Sequence, residues 1–171
     1  MNNLLLIQLI GGVGYLLLSL SYLKKEKKQI VLMQIISYIF LVIHFYFLNG
    51  LTGTICNLLG LGALVTIYLT EKKNPNYKTI PVTLFILLIL IINIITFQNI
   101  FSIFPMIASI IVIISFLLED EDIIRIIGII AAICWLIYAI VYKSYSAIIF
   151  EIIILINAYA SLIKSIRTNN K

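Results

Sequence analysis

The sequence predicts an all-α membrane protein of seven transmembrane helices, arranged as two parallel triple-helix repeats around a linker span in a 3+1+3 plan. Three observations carry that prediction. Of 171 residues, 63% are hydrophobic and 11% charged, with a mean hydropathy of +1.16, whereas soluble domains carry about a quarter charged residues. Seven apolar stretches approach the length of about 20 residues that crosses a hydrocarbon core of about 30 Å. A shift of 94 residues lays the first three stretches on the last three without a gap.

The spans are expected near residues 3–23, 29–48, 51–70, 79–98, 100–118, 123–142 and 145–163. Ile, Val and Phe dominate them, which in water argues for strands. In lipid only helices and closed barrels satisfy their own backbones, and the alternating segments of about 10 residues that build barrels are absent. The first stretch lacks a basic region ahead of its apolar run, so it reads as a helix and not as a secretory signal. The implied units are a first repeat over 1–73, a linker helix over 79–98, a second repeat over 100–164 and a cytoplasmic tail over 165–171.

The net charge of +5 does not point to nucleic acid, because Lys and Arg lie between apolar spans and not on one polar face. They set topology instead. Lys24, Lys25, Lys27, Lys28, Lys72, Lys73, Lys78, Arg125, Lys164, Arg167 and Lys171 fall on one side, against Lys143 on the other. The bias predicts a cytoplasmic C-terminus and an outer N-terminus. Cys56 and Cys134 have no metal or redox spacing and read as packing residues.

In the 94-residue register the KKEKK loop at 24–28 meets the acidic loop at 119–122, and the Asn49-Gly50 turn meets Lys143-Ser144. An odd linker span between two three-helix units keeps the units parallel, related by an axis along the membrane normal. Span one puts Gln8, Gly12, Tyr15, Ser19 and Tyr22 on one face. Gly11 aligns with Pro105 and adjoins Gly12, so these three mark matching weak points in corresponding helices, read as a hinge; small residues that merely let helices pack closely are the alternative.

Span two carries Gln34, Ser37, Tyr38 and His44, the sole histidine, which the register carries to Tyr138. Trp135, Tyr138 and Tyr142 share a face of span six, and Trp135, the deeper one, suits stacking on a substrate ring. Span three holds Gly53, Asn57 and Gly60 on one stripe. The shift carries Asn57 onto Glu151, the one acid inside a long apolar run. A carboxylate in lipid is costly and calls for a partner. The substrate-binding set expected is Asn57, Glu151, His44, Tyr138 and Trp135, with interhelical hydrogen bonding as the structural alternative. A buried Glu suits coupling to a proton or binding of a cationic solute.

The order QLIGGVGYLLLSLSYLKKEKK, then Tyr38 through HFYFLNG to Asn57, then CWLIYAIVYKSYSAIIFE ending in Glu151 resembles the YgjV family of bacterial inner-membrane proteins over nearly the whole chain. That family is in turn similar, distantly, to SWEET sugar transporters and PnuC vitamin transporters, which share the 3+1+3 plan. The resemblance implies a multi-pass protein of the bacterial plasma membrane. It also implies a substrate role for Asn57, with Glu151 standing where the second repeat would offer its counterpart. The proline-glutamine signature of several relatives is missing, and Pro105 alone represents their helix prolines.

The expected function is alternating-access transport of a small solute, such as a sugar, vitamin or other metabolite, with the bilayer and the solute as partners; coupling to a proton through Glu151 and uniport with a structural, hydrogen-bonded Glu151 are equally open. A non-transporting ligand-binding or scaffold protein of the same fold is the alternative. No nucleophile-base pair, metal-ligand cluster or phosphate loop is present, so neither enzyme activity nor a cofactor or metal is expected.

Overall fold

The structure, a computed structural model, describes residues 2–73, 79–118 and 120–169. Helices α1 (Asn2–Ser21), α2 (Lys27–Phe47), α3 (Leu51–Lys73), α4 (Thr79–Ile95), α5 (Ile103–Ser115), α6 (Glu121–Val141) and α7 (Tyr145–Asn169) account for nearly all of them, and no strand occurs among the described residues. Five of these, α1, α2, α3, α6 and α7, are long and apolar enough to cross a membrane. Their outer faces carry Leu5, Leu9, Ile39, Leu58, Ile133 and Ile156 exposed, a surface that only lipid accommodates at this density.

The fourth and fifth spans are shorter than the sequence predicts. Helix α4 ends at Ile95 instead of 98, and α5 starts at Ile103 after a 3-10 turn over Ile100–Ser102 instead of at 100. The cause is local polarity. Thr96 returns its hydroxyl to the Ile92 carbonyl at 2.8 Å, Asn99 caps the 3-10 turn by accepting from Phe101 N at 3.0 Å, and Gln98 accepts from the Tyr142 hydroxyl at 2.8 Å. Each group thus has a partner without continuing the helix. At the other boundary Asp120 caps α6, accepting from Asp122 N at 2.8 Å, while α7 runs on through much of the stretch read as a tail. Lys78, Glu119 and Lys171 lie outside the described residues.

Helix α2 packs between α1 and α3, and α6 between α5 and α7; α1 meets α7, α3 meets α5, and α4 lies across α3 and α5. Six helices therefore form a ring with α4 against one of its seams. The α2–α3 and α6–α7 reversals carry the same bonds at positions 94 apart. Gly50 N donates to Phe45 O at 3.0 Å and Ser144 N to Ala139 O at 3.0 Å. Among the described residues, Asn49 and Lys143 are the non-glycine residues with left-handed backbone, at φ 58° and 52°. At the opposite ends of α1 and α5, Ser21 and Ser115 return their hydroxyls to Leu18 O and Val112 O at 2.6 and 2.7 Å.

Candidate functional site

Asn57 and Glu151 each lie six residues into their helices, α3 and α7, which at about 1.5 Å per residue is roughly 9 Å from the helix start. The helix packing brings them to one level. Asn57 sits between Gly53, which lies against Phe45, and Gly60, which lies against Tyr38. Midway between those two α2 residues is Leu41, which packs on Gly14 of α1, and two residues before it Gly12 faces Phe150 of α7. Following these contacts round the ring leaves Asn57 and Glu151 within about one residue of the same depth, on the order of 2 Å.

Both side chains are buried, each about 1% exposed, and both have an acceptor without a partner, Oδ1 of Asn57 and Oε1 of Glu151. The Asn57 amide nitrogen is committed to Gly53 O at 2.8 Å in its own helix. Tyr15 of α1, Tyr22 just past its end and Tyr38 of α2 are buried as well. Tyr15 stacks on Phe150 at 6.5 Å, Tyr38 covers Gly60, and Tyr22 seats its ring on Gly128 of α6.

His44 takes a different place. Its Nδ1 lies 2.9 Å from Ile7 O on α1 and its Nε2 2.7 Å from Ser144 Oγ at the α6–α7 turn. A carbonyl only accepts, so Nδ1 carries the hydrogen and Nε2 accepts from Ser144. Tyr138 does the corresponding work in the other direction, its hydroxyl accepting from Gly53 N at the start of α3 at 3.0 Å. No bond joins His44 or Tyr138 to Glu151 among the described residues. His44 instead touches the Glu151 surroundings through Tyr15, edge-on at 6.3 Å. Trp135 belongs to an aromatic cluster, 5.5 Å from Phe45 and 5.9 Å from Tyr138.

Gly11 permits the His44 contacts: a Cβ there would overlap the imidazole, whereas one at Gly12 would meet Phe150 at an ordinary 3.7 Å. Helix α1 is continuous through both. Pro105 lies buried in the first turn of α5, where a missing N–H costs no ladder bond, and its fourth-back residue Phe101 is already in the 3-10 turn.

Two seams complete the site. On α1/α7, Ser146 N donates to Gln8 Oε1 at 2.9 Å and Asn157 to Ser19 Oγ at 2.6 Å. On α3/α5, Thr52 donates to Ser102 Oγ at 3.1 Å. At the Lys24 end, Lys27 Nζ donates to Phe116 O at 2.9 Å and Arg125 to Lys24 O at 3.2 Å and Asp122 at 2.6 Å. Sequence reasoning placed Tyr15, Tyr22 and Tyr38 on polar faces without assigning them to the site. The i, i+7 spacing of Tyr15 and Tyr22 on the face of span one is the available signal for those two; Tyr38, on α2, has none of that kind.

A helical bundle with lipid-facing Leu and Ile around a buried carboxylate defines a multi-pass membrane protein. The family model Imp-YgjV, described as bacterial inner membrane protein, matches residues 5–169, and the chain belongs to that family. No curated protein and no solved structure matches the chain.

Proposed function

We propose that this protein is a small-solute transporter working by alternating access between two triple-helix units, α1–α3 and α5–α7, with α4 as the linker span. The observation that carries the reading is Glu151. A fully buried carboxyl with an unmatched oxygen, level with the unmatched Asn57, lies in a bundle tied shut at both ends. Side-chain bonds link the units at one end through His44–Ser144 and Gly53–Tyr138, and at the other through Lys27–Phe116 and Arg125–Lys24. An occluded solute site needs two such gates, opened in turn.

The two-unit reading is supported by pairs of features at positions 94 apart. These include the left-handed Asn49 and Lys143, the α1–α2 and α5–α6 packing, and the seam bonds Gln8–Ser146 and Thr52–Ser102. We assign Asn57 and Glu151 to the solute, His44 and Tyr138 to the gate beside it, and Trp135 to the aromatic wall. A proton on Glu151 is the coupling ion that the buried acid offers. The Lys and Arg bias puts the Lys24 end in the cytoplasm.

Flux into proteoliposomes tests this. A panel of labelled sugars, nucleosides, vitamins and amines is expected to contain a solute whose uptake falls in Glu151→Ala and Asn57→Ala. Uptake at the parental rate in both variants refutes the site. Saturable binding without flux makes the protein a non-transporting ligand binder.

A further inference from the structure

The α1/α7 seam holds a groove that neither the solute site nor the gates use. Its volume is about 440 Å³, and Leu5, Leu9, Val13 and Leu16 wall it along one stripe of α1, with Ile149 opposite on α7. From Leu5 to Leu16 the stripe rises roughly 16 Å, about half of a hydrocarbon core of about 30 Å and so the depth of one leaflet. Spread over that length, the groove has a section on the order of 30 Å². That is room for a single hydrocarbon chain and too narrow for a helix of about 10 Å diameter.

Toward its Leu5 end the groove turns polar. Gln8 Oε1 accepts from Ser146 N at 2.9 Å, and because a backbone N–H only donates, the other terminal atom of Gln8 is the amide nitrogen. That nitrogen is buried without a partner. The Ser146 hydroxyl is in the same state, on a residue only 8% exposed, and both residues line the groove. Ser146 belongs to the first turn of α7, beside the exposed Tyr145, which places the pair near the membrane boundary where lipid esters lie.

The other seam shows what such groups do when they are covered. At the corresponding positions, 94 apart, Thr52 donates to Ser102 Oγ at 3.1 Å, both residues are buried, and α4 lies across the junction. Among the described residues no helix takes the place of α4 at α1/α7. An uncharged acyl carbonyl completes this end, since Gln8 Nε2 donates to it and the Ser146 hydroxyl can turn to do the same. A fatty carboxylate fits less well, because no basic residue lines the groove among the described residues. A second copy of the chain meets both the narrow section and a wall of large aliphatic side chains, whereas helices in lipid pack on small ones.

We propose that this seam binds one ester-linked glycerolipid of the leaflet opposite the Lys24 end, with one chain along Leu9, Val13 and Leu16 and its ester carbonyl on Gln8 and Ser146. The lipid braces the seam that α4 leaves uncovered, and the site is independent of the transport reading.

Native mass spectrometry of the full chain released from maltoside micelles tests this, with diacyl phosphatidylethanolamine and its dialkyl ether analogue titrated separately. The diacyl lipid is expected to be retained as a single adduct. The ether analogue keeps both chains and the headgroup but lacks the carbonyls, and is expected to bind about three- to tenfold more weakly. Ser146→Ala leaves the Gln8 bond intact, because that bond uses the backbone N–H, and is expected to weaken the diacyl lipid about threefold and the ether hardly at all. Val13→Trp, at a position exposed on the outer face, fills the groove and abolishes retention, while Thr52→Ala, at the seam under α4, leaves it unchanged. Equal binding of the ester and ether lipids, or retention indifferent to both Ser146→Ala and Val13→Trp, overturns the proposal. A dimer that Val13→Trp dissociates would make the seam an interface between copies and overturns it too, as does a parent protein that retains no lipid.

Discussion

The two seams of the ring are built alike and finished differently. At α3/α5, Thr52 and Ser102 bond to each other, and α4 covers the junction and brings Asn93 beside Cys56 at 3.5 Å. At α1/α7, Ser146 N bonds to Gln8, but the junction is bare. A groove of about 440 Å³ runs along it between Leu9, Val13, Leu16 and Ile149, and the Gln8 amide nitrogen and Ser146 hydroxyl have no partner. One seam is strapped by a seventh helix and the other is held by side chains alone. The same contrast holds around the site: α3 brings a neutral amide and α7 an acid, while α2 brings an imidazole and α6 a phenol.

Trp135, the sole tryptophan, sits in the aromatic cluster and reports unfolding in mixed detergent micelles, so the contrast can be measured. The largest effect is expected at His44. His44→Ala empties a buried site and strips Ser144 of its partner, a loss of about 3 kcal/mol, whereas Tyr138→Phe orphans the Gly53 N–H and costs about 1–2 kcal/mol. Equal losses would mean that His44 and Tyr138 are energetically interchangeable. Next comes the glycine pair. Gly11→Ala is expected to cost about 2 kcal/mol by forcing the imidazole aside, and Gly12→Ala to be neutral or slightly stabilising. In a His44→Ala background the Gly11→Ala cost should largely vanish, a coupling that a double-mutant cycle reads directly.

Smaller still is the strap. Asn93→Leu removes the amide contact to Cys56 and is expected to cost roughly 0.6 kcal/mol, while Gln8→Leu costs a similar amount at the bare seam by freeing Ser146 N. A much larger Asn93 effect would make α4 a keystone of the ring. The turns give the least. Lys143→Gly relieves a left-handed backbone and should stabilise by about 0.5–1 kcal/mol; Asn49→Gly gains less, because Asn tolerates that conformation.

Helix number and most boundaries follow from hydropathy, because a lipid-crossing segment has to be apolar for its full length. Hydropathy could not foresee that α4 stops early and α5 starts late. That depends on Gln98 finding Tyr142 and on Asn99 capping the next turn, which are tertiary and local bonds invisible to an average over a window. The common depth of Asn57 and Glu151 is already implied by the 94-residue register that carries one onto the other. The company each residue keeps was not. A helical face lists which side chains point together, but the neighbours of His44 come from Ile7 and Ser144, the latter 100 positions away, and the ring stacked on Phe150, next to Glu151 in the chain, is Tyr15 of another helix. Gly11, read as a weak point, is explained by the ring that lies against it.

The two short reversals constrain how such a molecule can move. Only residues 48–50 and 142–144 separate α2 from α3 and α6 from α7, each bonded back to its helix and each with one residue held left-handed. Neither connection has slack, so α2 with α3, and α6 with α7, translate and tilt as stiff blades. Any widening of the interior must then be taken up at the seams. With α4 laid across one of them, the α1/α7 seam, held by side chains alone, is the less braced of the two.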